Sequence, residues 1–426
     1  ALYCTRTSPA LPLGYNRFFM VIGQSDFSSR QYGNVRPGIF IRAEGIMTDI
    51  GRMAHLAPAR TQLGVSAYFD PALFAREQAS IFKQSSIYVG HQKSVPNQGD
   101  WRTLSHENNG RVLVRAESGV ELLSNVCRHR QALMLGGTTG NVAGHVNTHG
   151  NLVGTGGNIV CPLHRWTYDK QGHLLGAPQF DDKPCLNLER FPIKDCQGLL
   201  FEGPRNPSAD IGKLFTRPEF DFSDYVLDHV EVHQCNYNWK TFIEVYLEDY
   251  HVAPFHPGLG HFVTCDDLSW EFTDQYSMQR VGVHQALSQP GSPAYKVWHD
   301  KLMQFRSGQA PDFGAVWVTY FPTHMIELYP HVLVLSTLYP KSPQETVNIV
   351  EFYYPEEIAL FEREFVEAQR EAYMETAIED DEIAERMDAG RLALLNRGVS
   401  ESGPYQSPME DGMQHFHEWY RKALGD

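Results

Sequence analysis

Two short pairs of cysteine and histidine constrain this chain more than any other feature. They are Cys127-Arg128-His129 and Cys161-Pro162-Leu163-His164, with 31 residues between them. Four such ligands can hold zinc, but zinc loops usually group cysteine with cysteine and histidine with histidine. Here each loop brings one of each. That mixture suits a [2Fe–2S] cluster in which two thiolates hold one iron and two imidazoles the other. Neutral imidazoles leave the cluster less negative and raise its potential, so it can accept electrons from a low-potential donor and pass them on. Two converging loops need a small β scaffold. Over 87–203 short apolar runs alternate with Gly, Pro and Asn: Ile87-Tyr88-Val89, Val112-Leu113-Val114, Val120-Glu121-Leu122-Leu123 and Leu199-Leu200-Phe201. Within it, 136–157 is rich in Gly, Asn and Thr and reads as a long surface loop. Its His145 and His149 stand four apart, but a segment so rich in Gly is a poor helix on which to pair them.

A second constellation follows. Asn238-Trp239-Lys240 leads to Glu244, Glu248, His251, Pro254, His256 and Pro257. The spacing predicts a helix over 239–251 with Glu244, Glu248 and His251 on one face. His251 and His256 would stand roughly 140° apart on a straight helix. Pro254 is unfavourable in a helix interior, so a break near Ala253 is expected to swing His256 towards His251. Two imidazoles and one carboxylate form the facial triad of non-haem Fe(II) oxygenases, which leaves positions open for O₂. The third ligand is sought among Glu379-Asp380-Asp381-Glu382-Ile383-Ala384-Glu385, on a helical stretch expected to resume after Thr376-Ala377.

The two constellations, in this order, resemble the catalytic α subunit of Rieske non-haem iron oxygenases. The second loop carries the CPxHxWxYD spelling of oxygenase Rieske domains in Cys161, Pro162, His164, Trp166, Tyr168 and Asp169. The interval between the loops is longer than in that family. The resemblance implies that Cys127, His129, Cys161 and His164 bind a [2Fe–2S] cluster, and that His251, His256 and Asp380 bind mononuclear Fe(II). Asp380 matches the family's ligand helix, with Ile383 and Glu385 in the accompanying places; Asp381 is the alternative. The implied fold is α+β: an all-β Rieske domain inserted in an α+β catalytic domain whose antiparallel sheet is covered by helices. The expected parts are an N-terminal extension (1–46), the start of the catalytic domain (47–84), the Rieske domain (85–205) and the catalytic mononuclear iron domain (206–426). Glu248 occupies the position of the carboxylate that bridges the two metal centres across a subunit boundary, which implies a homotrimer. Glutamate there resembles the branch that oxidises choline, carnitine and glycine betaine, as does the terminal His415-Phe416-His417 with Trp419.

The implied function is terminal oxygenation of a small organic substrate, by hydroxylation or oxidative demethylation. A quaternary ammonium compound is one candidate substrate. Tyr246, Trp317, Tyr320 and Tyr329 are available to form an aromatic box for a cation. Ring hydroxylation of an aromatic carboxylate is the alternative. No dinucleotide or flavin fingerprint is present, so electrons are expected from a separate flavin/iron–sulfur reductase or a ferredoxin. A pure electron carrier would have no use for 206–426, and a binding protein with a dead iron site would lack one ligand.

The remaining composition sets bounds. A net charge of −15 argues against a nucleic-acid partner, and no apolar run is long enough for a membrane span. Seven scattered cysteines suggest thiols in a reducing cytoplasm, with Cys185, Cys196, Cys235 and Cys265 expected to be buried. Asp70-Pro71 marks a helix start with an apolar face of Leu73, Phe74, Ala79, Ile81 and Phe82. Strands are expected at 230–232, 316–321, 325–329, 332–339 and 347–354, followed by helix over 355–397.

Overall fold

The computed structural model describes residues 61–138, 146–284 and 289–425. The extension expected over 1–46, with Cys4, lies outside these residues, as does His145. Asp70 caps the helix Pro71–Ser80, its carboxylate accepting the Ala72 N–H at 2.8 Å. That helix buries Glu77 and leaves Ala79 exposed, contrary to the expected apolar face. The reason is a buried ion pair. Glu77 Oε1 lies 2.6 Å from Lys240 Nζ, and Glu77 Oε2 accepts from Trp239 Nε1 at 3.0 Å. The first helix is thereby locked to the helix Trp239–Tyr246. Removing one member of such a pair leaves a buried charge unpaired.

The β-rich segment forms small antiparallel sheets. Its largest orders the strands Arg190–Phe191, Gly119–Ser124, Arg111–Ala116, Asp100–Thr103 and His149–Asn151. His149 therefore stands on a sheet edge, and the described part of 136–157 is not the plain loop expected. It also pairs Gly137–Thr138 with Val146–Asn147 and ends in the short turn Leu152–Thr155.

A seven-stranded antiparallel sheet dominates the rest. Its order is Tyr225–Cys235, Glu345–Pro355, Val332–Ser342, His324–Tyr329, Ala315–Tyr320, Tyr276–Val283 and Val263–Phe272. The last two strands, and the helix Pro293–Phe305, were not foreseen. Central strands are buried on both faces, so they read as continuous apolar runs without alternation. Val316, Val318 and Tyr320 face the β-rich part, packing with Tyr88 and Phe201. Trp317 and Phe352 face a helical layer that includes Phe365 and Val366. Tyr88 donates to Glu351 Oε2 at 2.6 Å and so joins the two parts. The long helix Arg363–Asn396 runs without interruption through Thr376-Ala377, where a resumption was expected.

Candidate metal centres and active site

The two cysteine loops have the same backbone design. Cys127 N–H donates to Ala132 O, and Cys161 N–H donates to Trp166 O. Four residues after each cysteine, Gln131 (φ 56°) and Arg165 (φ 60°) adopt the left-handed conformation that turns the chain back. The loops thus present equivalent tips to each other. His129 and His164 rings lie 4.7 Å apart, and His129 stacks on Trp166 at 5.0 Å. Both cysteines are buried, and Tyr168 Oη sits 3.8 Å from Cys127 Sγ. Burial pushes the Cys161 thiol up, while the Leu163 and His164 N–H groups favour its thiolate. His129 Nδ1 is buried with no partner among the described residues. Two enclosed sulfurs and an orphaned imidazole nitrogen fit a cluster buried on its cysteine side, with His129 half-buried and His164 exposed. Of the other cysteines, Cys196 and Cys235 are buried as expected. Cys185 is exposed in irregular chain, and Cys265 is half-buried on the edge strand Val263–Phe272.

The second centre forms where the helix Trp239–Tyr246 stops. It ends at Leu247, earlier than the break expected near Ala253. Pro254 then sits inside the single turn Val252–Phe255, where an absent N–H costs little. The early stop separates the three residues expected on one face. Glu244 turns away into a buried network, accepting from Tyr68 Oη at 2.5 Å and pairing with His417 Nε2 at 2.7 Å and Arg391 Nη2 at 2.5 Å. Burial opposes ionisation there, but Arg391 and His417 outweigh it and hold the carboxyl near 2. His417 is thereby explained as a structural partner.

Glu248 stays at the site. His251 Nδ1 lies 2.5 Å from its Oε1, and His256 Nδ1 lies 2.7 Å from Glu379 Oε2. His256 can give its Nδ1–H to Glu379 and aim Nε2 inward, as metal-bound histidines commonly do, whereas Glu248 accepts the His251 backbone N–H at 3.0 Å and lies beside Nδ1 without the alignment of a hydrogen bond. The two Nε2 atoms are 2.9 Å apart, and Asp380 Oδ1 is 3.0 Å from His256 Nε2 and 3.4 Å from His251 Nε2. One ligand atom from each residue fits within 4.8 Å of the others. Burial disfavours a charged His251, yet Asp380 and Glu248 push its imidazole up to about 10. The carboxylates of Asp380 and Glu248 beside the two imidazoles favour positive charge at the site, which a metal ion would supply. Asp381 instead accepts from Tyr237 Oη at 2.5 Å. The geometry therefore favours Asp380 in the choice between the neighbours. Glu379, whose side chain holds His256, was read in the sequence only as the acidic residue that opens the run before Asp380, with no role of its own.

A cavity of about 910 Å³, counting its open mouth, lies against this triad. Tyr246, Trp317 and Tyr329 line it. Tyr320 does not: it points to the opposite face of the sheet, donating to Asp210 Oδ2 at 2.6 Å. The lining contains Glu248, Asp249, Glu327, Asp380 and Asp381, and no Lys or Arg among the described residues. Glu327 was missed in the sequence, although a glutamate inside the apolar run Met325-Ile326-Glu327-Leu328 is an available signal.

Comparison with known proteins supplies the frame. Residues 85–192 match the Rieske [2Fe-2S] domain, and 222–426 match the ring hydroxylating alpha subunit (catalytic domain). A putrescine 2-hydroxylase of Bordetella bronchiseptica is 80% identical over 391 residues, 92% of this chain and 91% of that protein. One from Ralstonia nicotianae is 61% identical over 378 residues, 89% of this chain and 100% of that protein. A crystal structure of a quaternary ammonium Rieske monooxygenase with an inhibitor superposes with a TM-score of 0.67 at 16% identity. That match covers 86% of this chain and 96% of that one. No helix among the described residues is long and apolar enough to cross a membrane.

Proposed function

This chain belongs to the Rieske oxygenase α-subunit family, and from that premise we propose that it hydroxylates putrescine at C2. It is an oxidoreductase with a [2Fe–2S] Rieske domain and a mononuclear iron domain. The observation that carries the substrate reading is the 80% identity, over 92% of the chain, to a putrescine 2-hydroxylase. The quaternary ammonium reading rests on glycine betaine, carnitine and choline monooxygenases that are 22–25% identical over 84% of the chain, and on a likeness of fold at 16% identity, and carries less. The aromatic carboxylate reading meets a physical objection. An anion would enter a cavity with five carboxylates in its lining and no Lys or Arg among the described residues.

We assign the cluster to Cys127, His129, Cys161 and His164, and the iron to His251, His256 and Asp380. Bound there, the iron would supply O₂ binding and activation. The chain's own residues do the rest. Glu379 holds His256 by its Nδ1–H, which fixes the tautomer that aims Nε2 inward, and Glu248 fixes His251 through its backbone N–H and the charge beside its ring. The strands carrying Trp317, Glu327 and Val350 and the long helix carrying Gln369, Tyr373 and Asp380 wall the cavity beside the triad. The balance is one C–H bond and one O₂, with two electrons and two protons, giving one C–OH and one water. A flavin/iron–sulfur reductase or a ferredoxin is the electron source this requires. In this reading the enzyme is a cytoplasmic homotrimer, and Glu248 hands electrons between subunits by contacting His251 and a neighbour's cluster histidine.

The test is turnover of the iron-loaded enzyme with a surrogate reductase. Putrescine, glycine betaine and benzoate are supplied in turn while oxygen uptake and product are followed together. Putrescine should give hydroxylated diamine in step with oxygen uptake. Formaldehyde from glycine betaine, or a diol from benzoate, with putrescine inert, would replace this reading.

A further inference from the structure

Glu327 lines the cavity beside the triad. It lies on the strand His324–Tyr329, directly opposite Trp317 on the neighbouring strand, and is 2% exposed. Its Oε1 accepts from Tyr373 Oη at 3.1 Å, and its Oε2 from Tyr329 Oη at 3.2 Å. Tyr329 Oη in turn accepts from Trp317 Nε1 at 3.0 Å. These are long bonds from neutral groups. A buried carboxylate normally meets a cation or several strong donors, and the cavity lining offers neither Lys nor Arg. Burial accordingly pushes the Glu327 carboxyl up to about 8, against the pull of Tyr373 and Tyr329. A second, independent sign is Asp249. It lines the same cavity, is 2% exposed, and leaves Oδ2 without a partner. The missing component is positive and carries N–H groups.

Resting on the diamine reading above, we propose that Glu327 is the substrate's counter-ion: it receives a primary ammonium of the diamine within a wall of Trp317, Tyr329 and Tyr373. The rings Tyr329–Trp317 and Tyr329–Tyr373 each stand near perpendicular at 6.2 Å, which brackets a small space beside the carboxylate. Aromatic faces attract any cation. The carboxylate adds a choice that rings alone cannot make. A primary ammonium has three N–H donors, whereas a trimethylammonium has none and would leave the Glu327 oxygens with only their weak phenol bonds. Glu327 thus selects primary amines over quaternary ones.

The test is anaerobic binding to the iron-loaded, cluster-containing enzyme by calorimetry, with steady-state turnover alongside. The ligands are putrescine and its bis-trimethylammonium analogue, which keeps both positive charges but offers no N–H donor. Wild type should prefer putrescine. Glu327→Gln should raise the putrescine Kd and KM on the order of 10–100-fold, the range for losing a charged hydrogen bond. It should also bring the two ligands to parity, with iron content and cluster spectrum unchanged. Glu327→Asp keeps the charge and should keep the preference even if overall affinity falls. It decides the matter if the Gln variant does not fold. Equal putrescine binding by wild type and Glu327→Gln, or a preference lost in Glu327→Asp, would overturn this assignment alone. Wild-type enzyme that binds no putrescine would overturn the diamine reading and this assignment with it.

Discussion

Asp380→Ala should end product formation while the [2Fe–2S] absorption remains and can still be reduced. Among the described residues, Asp380 is the only carboxylate whose oxygen lies within 3.4 Å of both inward-facing nitrogens. Without it the centre keeps two imidazoles, and a two-ligand site is weak and wrongly shaped for O₂. Loss of an outer partner of a metal ligand commonly costs roughly 10–100-fold in metal affinity or activity, and loss of a ligand should exceed that. Iron should fall from three atoms per chain to two. Asp381→Ala is the control. It removes an acceptor for Tyr237 and should cost about 1–3 kcal/mol of stability, with all three irons retained. A reversal of these outcomes, with turnover surviving in Asp380→Ala and lost in Asp381→Ala, would move the ligand by one residue.

The second large effect is Cys127→Ser, which should erase the visible absorption of the cluster and leave the mononuclear iron in place. A hydroxyl that stays protonated cannot stand in for a thiolate ligand. Neither Cys127→Ser nor His251→Ala should turn over alone. Co-assembled, the two chains should recover activity if electrons cross between subunits, because an intact cluster can then neighbour an intact iron. Recovery should vanish when Glu248→Ala is added to the Cys127→Ser chain, which holds the only working iron centre and therefore the Glu248 that serves it. Verified mixed assemblies that stay inactive would confine Glu248 to orienting His251 within its own chain.

The sequence made the ligand loops and the sheet legible because each rests on local rules. Cysteine and histidine are few and their chemistry is narrow. Strands buried on both faces read as unbroken apolar runs such as Val332-Leu333-Val334-Leu335. What escaped depends on partners distant in the chain. Glu77 reads as a solvent-facing glutamate until Lys240, Trp239 and Tyr420 meet it. The helix holding Glu244 stops at Leu247, while Glu244 itself is drawn towards Arg391 and His417, far along the chain. Glu379 gave no local sign because its neighbours in sequence are equally acidic. Tyr320 was grouped with Trp317 as another available ring, although the two stand three apart on the strand Ala315–Tyr320 and alternation therefore turns them to opposite faces.

The central claim is that this enzyme places one atom of O₂ on C2 of a diamine beside the triad of His251, His256 and Asp380. The most direct measurement is mass spectrometry of the product formed from putrescine under isotopically heavy O₂ in ordinary water, with a reductase supplying electrons. The account predicts a hydroxylated diamine carrying one heavy oxygen at C2, and one O₂ consumed for each pair of electrons. A product whose oxygen comes from water, or oxygen consumption with putrescine returned unchanged, would contradict it.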